Sequence, residues 1–421
     1  MTVAKKMQEF ADNSSWIRKM FERGAEMKAK FGAENVFDFS LGNPDVAPPK
    51  KFFEVLADLV ECDTPGMHAY MPNGGYHYVR EAVAAQLSNE QGAEIGMGDI
   101  LMTCGAAGAL NVVMKSLLDP GDEVIILSPF FVEYHFYVDN HGGVVKIVPT
   151  DDEFKLDLAA IEEALTEKTK AILINSPNNP TGQMYSAESL AALGTLLDRA
   201  GENFCSTIYL ISDEPYRKIV FDGAETPSIM ANTTNAIVVS SYSKDLSLPG
   251  ERIGYIAVHS EMHEKDLLLN AMTLANRILG FVNAPALMQR TVAELQEESV
   301  DVSIYEQRRK VFCEVLDAAG LKYVFPKGAF YLFPKTPIED DVEFCRLLQE
   351  EKILAVPGRG FGTPGHIRLA FCVDEEVIAK SADGFKRAVA KAKSADGFKR
   401  AVAKAKSADG FKRAVAKAKG A

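Results

Sequence analysis

Ser241-Tyr242-Ser243-Lys244-Asp245-Leu246-Ser247-Leu248-Pro249-Gly250-Glu251-Arg252 lies between two runs of strand character, residues 236–240 and 253–258. A lysine that ends a buried strand is desolvated. That lowers its pKa and leaves a neutral amine able to form a Schiff base with an aldehyde. Eight residues on, Arg252 offers a planar fork of the shape a phosphate accepts. One ligand carrying both an aldehyde and a phosphate satisfies both side chains. A lone lysine and a lone arginine are ordinarily surface charges, so this segment takes its meaning from three others.

Residues 170–175 read as a short buried strand running into Ser176-Pro177-Asn178-Asn179-Pro180-Thr181-Gly182, a tight irregular loop. Residues 207–212 read as another strand, ending in Asp213-Glu214-Pro215-Tyr216. A carboxylate at the end of a buried strand is costly unless it meets a cation, and a protonated pyridine nitrogen is such a cation. Residues 100–103 lead into Cys104-Gly105-Ala106-Ala107-Gly108. Small residues at a strand-to-helix turn let backbone N–H groups reach a phosphate at the positive end of the helix.

Together these motifs resemble those of fold-type I pyridoxal-phosphate enzymes and, within them, the class I/II aminotransferases of the aspartate aminotransferase type. The resemblance spans residues 30–375, with five separated motifs in family order. It implies pyridoxal 5′-phosphate held by Lys244 as a Schiff base. It further implies Asp213 on the pyridine nitrogen, with Tyr216 and Asn179 on the phenolic oxygen. Arg252, Ser241, Gly105 and the backbone of Ala106 and Ala107 fall to the phosphate. Phe131, in Ser128-Pro129-Phe130-Phe131, matches the aromatic that stacks on the cofactor; without the resemblance it reads as a core ring. Arg368, in His366-Ile367-Arg368-Leu369-Ala370, resembles the arginine that grips the substrate α-carboxylate. Gly42, in Leu41-Gly42-Asn43-Pro44-Asp45, and Asn179 match further contacts to substrate. Tyr70 resembles the tyrosine that reaches the cofactor phosphate of a neighbouring subunit, which implies a homodimer with shared sites.

The implied reaction moves an amino group from an L-amino acid, acidic or aromatic, to a 2-keto acid by a ping-pong route. The alternative is a C–S β-lyase on the same scaffold, since elimination uses the same lysine, aspartate and arginine and a fold does not fix its function. Ammonia and pyruvate as products mark the lyase. A dicarboxylic substrate needs a second cation, for which Arg277 and Lys115 are the candidates; the bland reading of Arg277 is a surface helix arginine.

Composition fits these expectations. At 421 residues and 47% hydrophobic, the chain has material for more than one domain. No apolar run nears the ~20 residues of a membrane span, and the N-terminus lacks an apolar signal core, so a cytoplasmic home is expected. The six cysteines are scattered, with no metal spacing, and read as reduced thiols. Strands alternating with helices between residues 100 and 260 predict an α/β fold, a mainly parallel sheet sandwiched by helices. Its ligand site belongs at the strands' carboxyl ends.

A large cofactor domain is expected over residues 46–290, and a smaller α+β domain over 1–45 and 291–393. Residues 302–316 read as a helix and 323–333 as a strand. Gly358-Arg359-Gly360-Phe361-Gly362 has the glycine spacing of a dinucleotide loop but no following helix, and reads as a loop before Arg368. The tail, 394–421, is duplicated: Ser-Ala-Asp-Gly-Phe-Lys-Arg-Ala-Val-Ala-Lys-Ala-Lys occurs three times from residue 381. Only the first copy continues an apolar stripe, through Ile378, Ala382, Phe385 and Val389. A 13-residue step turns a helix by about 220°, so later copies face elsewhere. Such identity points to a recent or engineered duplication, or to an error in the recorded sequence. Each copy carries four basic residues and one acid, so three add +9 and the rest of the chain carries −21 within the total of −12. An acidic body gives no case for nucleic acid.

Overall fold

Strand Glu123–Ser128 shows why the central sheet forms. Val124 and Ile126 pack into one hydrophobic cluster and Ile125 and Leu127 into another, so both faces of the strand are covered. The same split divides Ala171 and Leu173 from Ile172 and Ile174, and Ile237 and Val239 from Val238. A computed structural model describes residues 2–12, 16–62 and 64–394.

The sheet has seven strands, in the order Ile100–Thr103, Gly254–Val258, Ala236–Ser241, Tyr209–Asp213, Thr169–Asn175, Glu123–Ser128 and Val144–Pro149. Neighbours run parallel except Gly254–Val258, which is antiparallel to both strands beside it. The mainly parallel α/β sheet expected from the sequence is therefore present. Register sets Asn175 opposite Asp213 and Gly254 opposite both Ser241 and Thr103. The turns after residues 103, 175, 213 and 241 consequently emerge along one edge of the sheet.

The chain divides into two compact units, Gly42–Glu306 with Val324–Leu332, and Met1–Leu41 with Gln307–Tyr323 and Phe333–Ala421. The borders differ from the expected 46–290 and 291–393. Residues 291–306 stay with the sheet because Val300 N–H donates to the Asp245 carbonyl at 2.7 Å and Gln296 bonds the Tyr242 hydroxyl. The expected strand over 323–333 shrinks to Tyr331–Leu332. Pro326 has no N–H to give a ladder, and Lys327 and Gly328 both donate theirs to the Gly182 carbonyl, at 2.8 and 3.0 Å. Residues 324–332 thereby belong to the larger unit.

In the smaller unit, Phe37–Asp38 pairs in parallel with Ile353–Leu354, and Val356–Pro357 pairs antiparallel with Ile367–Ala370. Its core gathers Phe39, Phe312 and Phe385, with Phe39 and Phe312 centroids 4.7 Å apart. The stripe expected of the first repeat copy is seen: Ile378, Phe385 and Val389 are buried on helical backbone, with Ala382 half-buried. The later copies, from residue 395 on, lie outside the described residues. Gly358–Phe361 is a short 3-10 turn rather than a dinucleotide loop. Among the described residues no helix is long and apolar enough to cross a membrane, and no cluster of metal-ligating side chains occurs.

Candidate active site

Asp213 closes strand Tyr209–Asp213 and is buried. One carboxylate oxygen, Oδ2, accepts a 2.5 Å hydrogen bond from the Tyr134 hydroxyl. The other, Oδ1, is buried without a partner. Burial pushes the carboxyl up to about 7; the Tyr134 bond and the Lys244 charge oppose the rise, and Glu214 adds to it. An acid held in this state accepts a cation readily, because a buried cation removes the desolvation cost that holds the proton on. Tyr134 is itself pushed up by burial and by Asp213, so it remains a donor. Phe131 stands edge-on to Tyr134, centroids 5.5 Å apart.

The loop after Thr169–Asn175 is tied to the backbone of the same residue. Asn175 donates through Nδ2 to the Asp213 carbonyl and accepts the Asn179 N–H at Oδ1, both at 2.7 Å. Asn178 folds the loop by accepting from Thr181 N–H and Oγ. Gly182, at φ +69°, sits where a Cβ would press on Pro326 and on the Tyr331 and Gly328 carbonyls. That close approach delivers Phe330 and Tyr331 to the cluster.

Lys244 Nζ donates to the Gly42 carbonyl at 2.9 Å. It lies 5.5 Å from the Phe330 ring centre and 6.0 Å from that of Tyr216. The Tyr216 and Tyr331 hydroxyls share a 2.9 Å hydrogen bond, and both residues are buried. A Cβ on residue 42 would overlap the Tyr331 hydroxyl, so only glycine admits this packing.

The turn after Ile100–Thr103 opens helix Gly105–Leu117, whose first-turn N–H groups have no intrahelical acceptors. Gly105 has φ +71°, and a Cβ there would meet Arg252 Nη2 at 3.0 Å. Gly254 lets its strand lie against Gly105, and Ser241, buried, faces Gly254 across the ladder. Arg252 is anchored through Nη1 to the Pro249 carbonyl and remains exposed. Helix N-terminus, glycine turn, arginine and serine thus form one cradle with the character of a phosphate site. Cys104 begins the same turn; burial raises its thiol, which stays an inert donor to the Asn283 carbonyl.

The larger unit therefore brings together Gly42, Gly105, Ala106, Ala107, Phe131, Asn179, Asp213, Tyr216, Ser241, Lys244 and Arg252 at the strand ends. Tyr70 is 92% exposed and Arg277 is exposed on helix Lys265–Ile278. Lys115 is exposed near the far end of helix Gly105–Leu117, ~15 Å of helix from Gly105. Arg368 belongs to the smaller unit, fully buried, with Nη2 on the Ser40 carbonyl at 2.6 Å and its guanidinium 4.9 Å from the Phe361 ring centre. Sequence reading missed Tyr134, Phe330 and Tyr331. The available signals were an aromatic three residues after Phe131 and the Gly328-Ala329-Phe330-Tyr331 run, where a glycine beside two aromatics marks a close approach.

The profile of the family described as aminotransferase class I and II matches residues 34–385. An aspartate aminotransferase of Thermotoga maritima is 33% identical over 373 residues, 87% of this chain and 95% of that one. A probable aspartate aminotransferase of Methanocaldococcus jannaschii is 32% identical, over 82% of this chain and 91% of its own. Among solved structures, an aminotransferase of Eubacterium rectale superposes with a TM-score of 0.90 at 38% identity, covering 93% of this chain and 99% of that one. The aspartate aminotransferase of Thermus thermophilus with maleate gives 0.82 at 28% identity, over 92% and 100%. With the strand-end cluster and these likenesses in hand, the chain belongs to the class I and II aminotransferases, enzymes that depend on pyridoxal phosphate.

Proposed function

We propose that this aminotransferase takes the amino group of an acidic or aromatic L-amino acid, with Lys244 as its covalent and proton-transferring residue. The observation that carries the reading is the buried, unpartnered Oδ1 of Asp213 at the strand edge that also presents Lys244. The residues fit the cofactor on that ground, since a protonated ring nitrogen supplies the missing partner, and the Gly105–Arg252–Gly254 cradle suits its phosphate. When bound, pyridoxal phosphate supplies an electron-withdrawing ring that weakens the substrate's Cα–H bond.

This chain's residues do the rest. Asp213 holds the proton on the ring nitrogen, and Tyr134 holds Asp213 in place. Asn179 and Tyr216 would hold the ring's phenolic oxygen, and Phe131 would pack against the ring. Lys244 Nζ takes the proton from the substrate Cα as general base. Arg368 is read as the residue that grips the α-carboxylate, which orients the substrate. Aspartate is the donor to try first, since three of the four proteins compared above carry it in their names. The visible band of the purified protein, followed while single amino acids are added, tests the reading. Bleaching by one donor and return with a 2-keto acid is expected; ammonia and pyruvate as products overturn it in favour of elimination.

The reading includes a cytoplasmic homodimer. Support comes from Tyr70, 92% exposed, and from Leu267, Leu274 and Ile278, all more than half exposed on one side of helix Lys265–Ile278. All six cysteines are free, as a reducing compartment requires. If Tyr70 serves the second copy's site, mixing Tyr70→Ala with Lys244→Ala subunits recreates one intact site per hybrid. Activity of the mixture is expected to exceed the mean of the two variants by at least about tenfold. Additive activities would leave Tyr70 out of the site.

A further inference from the structure

We infer that Asp38, acting through Ser40, is a positioning residue that aims the Arg368 guanidinium at a substrate carboxylate; the inference rests on the reading of Arg368 given above. Arg368 lies in strand Ile367–Ala370 and is 2% exposed. A buried guanidinium needs acceptors in fixed places, because its charge has lost its water. One acceptor is the Ser40 carbonyl, 2.6 Å from Nη2. The Phe361 face fixes the guanidinium plane, and Phe333 holds Phe361 edge-on at 6.0 Å.

A carbonyl directs an arginine only if its own chain is held. Asp38 holds it: Oδ1 accepts both the Ser40 hydroxyl at 2.6 Å and the Ser40 N–H at 3.2 Å, closing a turn of the Asx kind. Phe39, between them, donates to the Leu354 carbonyl at 3.0 Å and accepts from Ala370 N–H at 2.8 Å. The turn is thereby pinned to the strand that carries Arg368. The other Asp38 oxygen accepts from Lys28 Nζ at 2.7 Å, on helix Trp16–Phe31. Gly24 on that helix makes the room, since a Cβ there would stand 3.1 Å from Asp38 Oδ2. Lys28 is 40% exposed, so its ion pair is the weak end of the chain of contacts. The bonds to Ser40, which is fully buried, are the strong end.

Loss of the clamp frees the Ser40 carbonyl and lets the guanidinium turn. The amino acid and the 2-keto acid both present an α-carboxylate, so Asp38→Ala is expected to raise both KM values by the same factor, about tenfold, with kcat changed less than about threefold. The cofactor's dissociation constant stays unchanged, which a general loss of structure would not allow. Asp38→Asn keeps an acceptor for Ser40 and is expected to restore both KM values to within about threefold of the parent. Ser40→Ala carries the same test if Asp38→Ala does not fold. A 2-methyl amino acid, which binds but has no Cα proton to lose, gives the matching dissociation constant by titration of the visible band.

Arg368→Ala provides the reference. If it weakens the 2-methyl amino acid while Asp38→Ala and Ser40→Ala do not, the clamp is overturned and the reading of Arg368 stands. If Arg368→Ala itself leaves binding unchanged, that reading fails and takes the inference with it.

Discussion

Lys244→Ala is expected to lower kcat by about 10⁴-fold or more and to abolish the visible band that the parent forms with pyridoxal phosphate. Two losses combine at one atom. The amine beside Tyr216 and Phe330 carries both roles, so covalent attachment and proton removal from Cα disappear together. The fold should survive, since Lys244 is half-buried and its hydrogen bond to the Gly42 carbonyl is local to the site. A bond of that kind contributes about 1 kcal/mol. A melting temperature near the parent's, with no band and no turnover, is the expected combination. Turnover at the parent's rate in the variant would remove Lys244 from the chemistry.

Asp213→Asn should cost about 10³-fold in kcat/KM, because an amide keeps the Tyr134 bond but cannot hold a proton on the ring nitrogen. A second effect belongs to the protein without cofactor. Asp213 titrates at about 7 in the fold, mainly because it is buried. An unfolded aspartate titrates near 3.9. The folded state therefore binds the extra proton between these values. The group's contribution to stability is fully present below about pH 4 and is lost as pH rises through about 7. Over that window the parent is expected to lose stability relative to Asp213→Asn, by on the order of 3–4 kcal/mol at most. Melting temperatures of the two cofactor-free proteins across pH 4–8 measure it. A constant difference would mean that Asp213 is ionised throughout. Bound cofactor should remove the slope in the parent, since a cation at Oδ1 favours the carboxylate.

Much of the strand framework was legible because it is local. Residues 100–103 were read with the observed bounds, and the strands at 169–175, 209–213, 236–241 and 254–258 shifted from expectation by one or two residues. Continuous apolar runs that end in Gly, Pro, Asn or Ser carry that information within a few residues. The smaller unit was harder to read. Residues 323–333 have strand composition, yet three of them in a row spend their backbone donors elsewhere: Lys327 and Gly328 on Gly182, and Ala329 on Ile219. Those partners lie more than a hundred residues away, and no local pattern announces them.

The sequence by itself determined the α/β framework, the turns at the strand ends, and the lysine, aspartate and arginine that those turns present, because each depends on a buried strand and the few residues after it. Only the tertiary structure decided which side chains complete those groups. Tyr134 reaches Asp213 across 79 positions, Tyr331 reaches Tyr216 across 115, and Ser40 meets Arg368 across 328. Hydrogen bonds over such separations exist only after the chain has packed, since what selects the partner is the need of a buried polar atom for an acceptor or donor at one place in space.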